Sequence, residues 1–169
     1  IGAWGKQFFT FLTTNFAWFF DSIARGLTFI LESIVVLLLW FPPLVLVAAI
    51  AALAWYLQKS WRLAAVTALG LLFIINQGLW KETVETIVLV VAATSASMAI
   101  GVPIGIWAAH KPKVWRITQP ILDLMQTMPT FVYLIPILIL FGLGAAPALI
   151  VTIIFAMPAP VRMTYLGIT

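Results

Sequence analysis

Residues 123–147 read Asp123-Leu-Met-Gln126-Thr127-Met-Pro129-Thr130-Phe-Val-Tyr133-Leu-Ile-Pro136-Ile-Leu-Ile-Leu-Phe-Gly142-Leu-Gly144-Ala-Ala-Pro147. After Asp123 no charge follows until Arg162. An uncharged run of that length belongs in lipid, where about 20 apolar residues cross the hydrocarbon. Yet Gln126, Thr127, Pro129, Thr130, Tyr133 and Pro136 interrupt its first half, and Gly142, Gly144 and Pro147 break it again. Polar side chains and prolines at membrane depth are tolerated chiefly where protein or a water-filled path surrounds them. The stretch therefore predicts a span that faces a pathway or a partner helix.

The rest of the chain agrees with a lipid solvent. Of its 169 residues, 64% are hydrophobic and only 8% charged. A soluble domain has roughly 25% charged residues. The net charge of +4 comes from Lys and Arg in short clusters between apolar runs. That is the orientation signal of a membrane protein and not a nucleic-acid surface. With no cysteine, disulfides, thiol catalysis and cysteine-ligated metals are excluded. No secretory leader is expected at the start. Because the chain opens on Ile1 and stops at Thr169 after an apolar span, one or both tails are expected to be missing.

The expected fold is an all-α membrane protein, with an N-terminal amphipathic interfacial helix followed by about five transmembrane helices. Residues 3–34 read as the single amphipathic helix. At 100° per residue, Gln7, Thr10, Thr14, Asp21, Arg25, Thr28 and Glu32 form a narrow polar stripe, with Phe8, Leu12, Phe16, Phe19, Ile23, Leu27, Ile30 and Ile34 opposite. Asp21 and Arg25 are spaced for an i,i+4 ion pair. Such a cylinder suits the membrane interface, although packing against other helices would also use the stripe. Phe41-Pro42-Pro43 ends it. The chain then divides into 1–41 (interfacial helix), 42–80 (two peripheral spans, about 43–57 and 63–79) and 81–169 (about three spans: 86–109, 117–141 and 148–165). Residues 110–116 are expected to be a basic loop. Keeping Lys59, Arg62, Lys111, Lys113, Arg116 and Arg162 on the cytoplasmic side puts the amphipathic helix outside.

Ala93, Ser97, Gly101 and Gly105 recur every four residues, a small-residue face that lets another helix approach closely. Gln126, Thr130 and Tyr133 fall at i, i+4 and i+7 and would share one face of a continuous helix. That face suits either a solute path or interhelical hydrogen bonds. Pro158 and Pro160 should unwind the cytoplasmic end of the last span, as a joint or a simple helix end. His110, the single histidine, reads as a solvated loop residue, and the five acids are dispersed. No metal site, catalytic pair or phosphate-binding Gly-rich loop stands out.

The stretch from Asp123 through Pro136, with Leu140-Phe-Gly-Leu-Gly144, Val151-Thr-Ile-Ile-Phe-Ala-Met-Pro158 and Arg162-Met-Thr-Tyr-Leu-Gly-Ile168, resembles permease subunits of binding-protein-dependent ABC importers. The resemblance is to the glycine betaine/proline betaine branch, and Gly101-Val-Pro-Ile-Gly-Ile-Trp107 is similar to it as well. It covers residues 80–169 strongly and the remainder loosely. It implies two permease copies forming the path in the bacterial inner membrane and two cytoplasmic ATPase subunits, which hold the ATP and Mg. It also implies an extracytoplasmic solute-binding protein or fused domain. No enzymatic activity or cofactor is expected in this chain. The family's ATPase-coupling loop should follow the Leu166-Gly167-Ile168 stretch. The expected function is alternating-access import of a compatible solute such as glycine betaine, proline betaine or choline, with Gln126, Thr130 and Tyr133 as path candidates. The competing expectation is a non-transporting multi-span scaffold that recruits partners.

Overall fold

The computed structural model describes the backbone of residues 2–169 and the side chains of residue 7 and of 10–169. The expected apolar role of the Phe8 side chain lies outside that description. Among the described residues every regular element is helical. The chain separates into two compact units, one of residues up to Ile30 with Leu89–Thr169 and one of Leu31–Val88.

The all-α membrane class stands. Among the described residues three helices could cross a bilayer by length and composition: α2 (Ala17–Leu39), α5 (Trp80–His110) and the run Ala145–Ile168. A fourth is added if the bent pair α6 (Pro112–Thr127) and α7 (Phe131–Phe141) is one span. The other two expected spans, α3 (Pro43–Gln58) and α4 (Trp61–Asn76), are apolar but only 16 residues each.

The expected single helix over 3–34 is two helices, α1 (Gly2–Asn15) and α2, separated at Phe16. The polar cluster before the break accounts for it. The Thr14 hydroxyl donates to the Thr10 carbonyl at 2.7 Å and Asn15 Nδ2 to the Phe11 carbonyl at 3.0 Å. Side chains that bond back to carbonyls one turn earlier compete with the helix ladder and bend it. Arg25 Nε donates to the main-chain carbonyl of Asp21 at 3.2 Å, so the expected side-chain ion pair is replaced by a bond to the backbone.

In the unit Leu31–Val88, α3 and α4 pack as a hairpin. Pro43 occupies the first turn of α3, where its missing N–H costs nothing. Lys59 ends the helix in the left-handed conformation, φ 53° and ψ 22°, and its N–H returns to the Trp55 carbonyl at 2.7 Å. Ser60 then caps α4, its hydroxyl accepting from the Leu63 N–H at 3.5 Å. Lys81 and Glu85, at the start of α5, form an i,i+4 ion pair at 3.6 Å.

In the other unit, the C-terminal part of α5 packs on the Ala145–Ile168 run, made of α8 (Ala145–Ala156) and α9 (Pro158–Ile168). The expected unwinding at Pro158 and Pro160 does not occur. Met157 keeps helical dihedrals of −55° and −36°, and its N–H bonds the Ile153 carbonyl at 2.9 Å. Pro158 interrupts the regular helix only at Met157, and Ala145–Ile168 remains one apolar run of 24 residues.

The expected basic loop 110–116 is also helical from Pro112. That proline starts α6 and does not prolong a loop, and Lys113 and Arg116 ride on the helix. The expected span 117–141 is broken, with α6 and α7 meeting at 93° across residues 128–130. Met128, before Pro129, is extended at φ −76° and ψ 134°, the conformation that a following proline imposes.

Candidate functional site

The break between α6 and α7 gathers most of the polar groups of the uncharged stretch. Pro129 has no N–H, so the Met125 carbonyl has no donor one turn on. Leu124 instead takes two donors, the Met128 N–H at 3.0 Å and the Thr127 hydroxyl at 3.3 Å. α7 restarts with the Val132 N–H on the Pro129 carbonyl at 2.9 Å and the Leu134 N–H on Thr130 at 3.1 Å.

The three path candidates therefore do not line one helix face, because the i, i+4, i+7 relation requires a continuous helix. Gln126 is exposed in the last turn of α6, Thr130 is half-buried in the break, and Tyr133 is half-buried in the first turn of α7. The Tyr133 hydroxyl is enclosed and has no hydrogen-bond partner. A hydroxyl left in that state is costly unless something else satisfies it.

Two contacts that sequence reasoning missed tie α6 to α9. Arg162 donates from its guanidinium to the Asp123 carboxylate. Trp115 stacks on Tyr165 with ring centroids 3.6 Å apart and planes within 6°. The signal for the ion pair was present. Asp123 and Arg162 bracket an uncharged run of 38 residues, and a charge at the edge of lipid is cheapest when paired. The pair is part-exposed, at 52% and 33% of the side chains, so it is worth at most about 1 kcal/mol.

The small-residue stripe on α5 is buried at all four positions, Ala93, Ser97, Gly101 and Gly105, and its partner is the α8–α9 run. Ser97 donates to the Ile153 carbonyl at 3.2 Å. A Cβ on Gly101 would stand 2.8 Å from Pro160 Cγ, and one on Gly105 would stand 2.7 Å from both Thr164 Cβ and the Val161 carbonyl. Only glycine fits that approach. The stripe thus holds α9, and α9 carries Arg162 and Tyr165, which hold α6. Among the described residues no three His, Asp or Glu side chains gather where they could share a metal ion.

Comparison with known proteins shows what this chain is similar to. Residues 101–169 match the binding-protein-dependent transport system inner membrane component family. The chain is 44% identical to the glycine betaine transport system permease protein OpuAB of Bacillus subtilis over 162 residues, 96% of this chain and 57% of the relative. It is 37% identical to the glycine betaine/proline betaine transport system permease protein ProW of Escherichia coli over 168 residues, 99% of this chain and 47% of the relative. With the glycine betaine/carnitine transport permease protein GbuB of Listeria monocytogenes it shares 47% identity over 110 residues, 65% of this chain and 39% of the relative. The chain therefore spans about half the length of the curated relatives it matches. The chain is thus similar over residues 101–169 to the binding-protein-dependent transport system inner membrane component family, and as a whole to permease subunits of glycine betaine transport systems.

Proposed function

We propose that this chain supplies part of the translocation path of an ATP-driven importer for a small quaternary-ammonium solute, glycine betaine being the first candidate. The observation that carries the reading is the 44% identity, over 96% of the chain, to a glycine betaine permease. The chemistry supports it. Such a solute has a fixed cation and a carboxylate but no net charge, so its path needs no counter-ion. The uncharged break with its Gln, Thr and Tyr side chains is compatible with that need. An aromatic ring can hold a quaternary ammonium by cation–π attraction, and the unpartnered Tyr133 hydroxyl could accept or donate a bond to a passing solute.

In this reading two permease copies form the path in a bacterial inner membrane. Two cytoplasmic ATPase subunits hold ATP and Mg, and an extracytoplasmic binding protein or domain delivers the solute. The basic residues Lys59, Arg62, Lys111, Lys113 and Arg116 face the cytoplasm, and the chain catalyses no reaction itself. ATP-driven closure of the ATPases rocks the paired permeases between inward- and outward-open states. The segment before Pro42 lies on the outer side if it remains at the interface. α2 is long enough to cross instead.

The test is co-purification of the full-length protein with its ATPase and measurement of ATP hydrolysis with and without solute-loaded binding protein. Solute-stimulated hydrolysis is expected, and Gln126→Ala with Tyr133→Ala should reduce the stimulation. An assembled complex whose hydrolysis ignores the solute would overturn the reading in favour of a scaffold.

A further inference from the structure

We propose that α6 is an interfacial helix that lies along the headgroup boundary of an anionic bilayer on the side that carries Lys111, Lys113 and Arg116. It is not the first half of a membrane span. Three independent features of the helix lead there.

The first is its division into three faces. At 100° per residue, Val114, Trp115, Thr118, Leu122 and Met125 fall within an arc of about 100°, and all five are buried or half-buried against the protein. Ile117, Ile121 and Leu124 share a second arc of about 60° and are 67%, 51% and 58% exposed. Arg116, Gln119, Asp123 and Gln126 share a third arc of about 80° and are exposed too. A helix crossing the hydrocarbon would meet the same solvent all along each exposed face, and a charged and amide-rich face would be costly there. Packed on protein, dipped in acyl chains and wetted by water, these three faces suit the boundary itself.

The second feature is direction. Trp115 and Asp123 are eight residues apart on α6, about 12 Å along its axis. Their partners on α9, Tyr165 and Arg162, are three residues apart, about 4.5 Å. α6 packs on both α8 and α9, and it turns 93° from α7, so the two cannot cross a bilayer along one direction.

The third is charge. Lys111, Lys113 and Arg116 stand at and just inside the start of the helix, and its one acid, Asp123, is paired with Arg162. Basic residues near an anionic leaflet each contribute about 1 kcal/mol.

Depth measurement in the full-length protein, reconstituted in vesicles of phosphatidylcholine and phosphatidylglycerol, decides the matter. This chain has no cysteine. Ile117→Cys, Ile121→Cys and Leu124→Cys, made with any cysteine elsewhere replaced, each take one fluorescent label, and Ile135→Cys on α7 is the reference. The expected result is that all three α6 labels are quenched more by lipids with a quencher near the headgroup than by lipids with one near the chain end, at one common depth. The Ile135 label should lie deeper. A depth gradient of about 10 Å between positions 117 and 124 would overturn the proposal, since it is the signature of a span. Absence of lipid quenching at all three positions would overturn it as well, since a protein partner would then cover the face. For the charge component, phosphatidylglycerol carrying the quencher should quench the label at 117 more than equivalent phosphatidylcholine does. Lys113→Gln with Arg116→Gln should abolish the difference. Equal quenching before substitution would refute the role of lipid charge. None of these outcomes depends on solute transport, so failure here leaves the proposed function standing.

Discussion

Gly105→Ala is the sharpest perturbation of the packing that holds this unit together. The added methyl would stand 2.7 Å from both Thr164 Cβ and the Val161 carbonyl, and 3.1 Å from Thr164 Cγ2. Ordinary carbon contacts begin near 3.5 Å, so α5 and α9 must part by several tenths of an ångström. One of the two obstacles is backbone and cannot rotate away. Overpacking of this kind typically costs about 1–3 kcal/mol, a roughly 5- to 150-fold shift in the folding equilibrium. Gly70→Ala is the matched control. Gly70 lies within α4, where an added methyl would meet nothing within 4 Å, and alanine favours a helix interior over glycine by up to about 1 kcal/mol. The two substitutions should therefore move stability in opposite directions. The assay is reversible denaturation of the full-length protein in mixed micelles, followed by tryptophan fluorescence. Equal shifts of the same sign would refute the argument that α5 and α9 are in glycine-limited contact.

Three further outcomes follow from the same geometry. Ser97→Ala removes the bond to the Ile153 carbonyl and should cost about 0.6 kcal/mol in the same denaturation assay, whereas Ser97→Leu, at a position 2% exposed, should cost several times more. Asp123→Asn and Arg162→Gln, measured singly and together, should show a coupling energy of up to about 1 kcal/mol that shrinks as salt is raised, and a cycle with no coupling would mean that the pair does not hold α6 to α9. Pro129→Ala restores a donor for the Met125 carbonyl and should straighten the 93° bend, lengthening the distance between spin labels at Ile117 and Ile139, with an unchanged distance counting against proline as the cause.

What could be read in advance was whatever depends on local pattern. The shortage of charge placed the chain in lipid, Phe41-Pro42-Pro43 marked the entry to the α3–α4 hairpin, and the four-residue repeat from Ala93 to Gly105 located a face that the structure buries. Proline was read less well, because its effect depends on where in a helix it falls. Pro112 sits in a first turn and starts a helix, Pro158 leaves the Ala145–Ile168 run in place, and Pro129 follows an extended residue and turns the chain sharply. The side-by-side placement of Gln126, Thr130 and Tyr133 depended on that distinction and was lost with the continuous helix. Contacts distant in sequence were not read, although the two charges that bracket the uncharged run signalled one of them. Trp115 with Tyr165, and Asp123 with Arg162, are brought together only by the packing of α6 on α9.

The central claim, that this chain forms part of a solute path, is tested most directly by uptake into sealed vesicles. The full-length protein is reconstituted with the proposed ATPase and binding-protein partners, and accumulation of radiolabelled glycine betaine is followed with ATP supplied to the ATPase side. Accumulation that requires ATP and is slowed by Tyr133→Ala is the predicted result. An assembled complex that hydrolyses ATP yet moves neither glycine betaine nor any related quaternary ammonium would contradict the account.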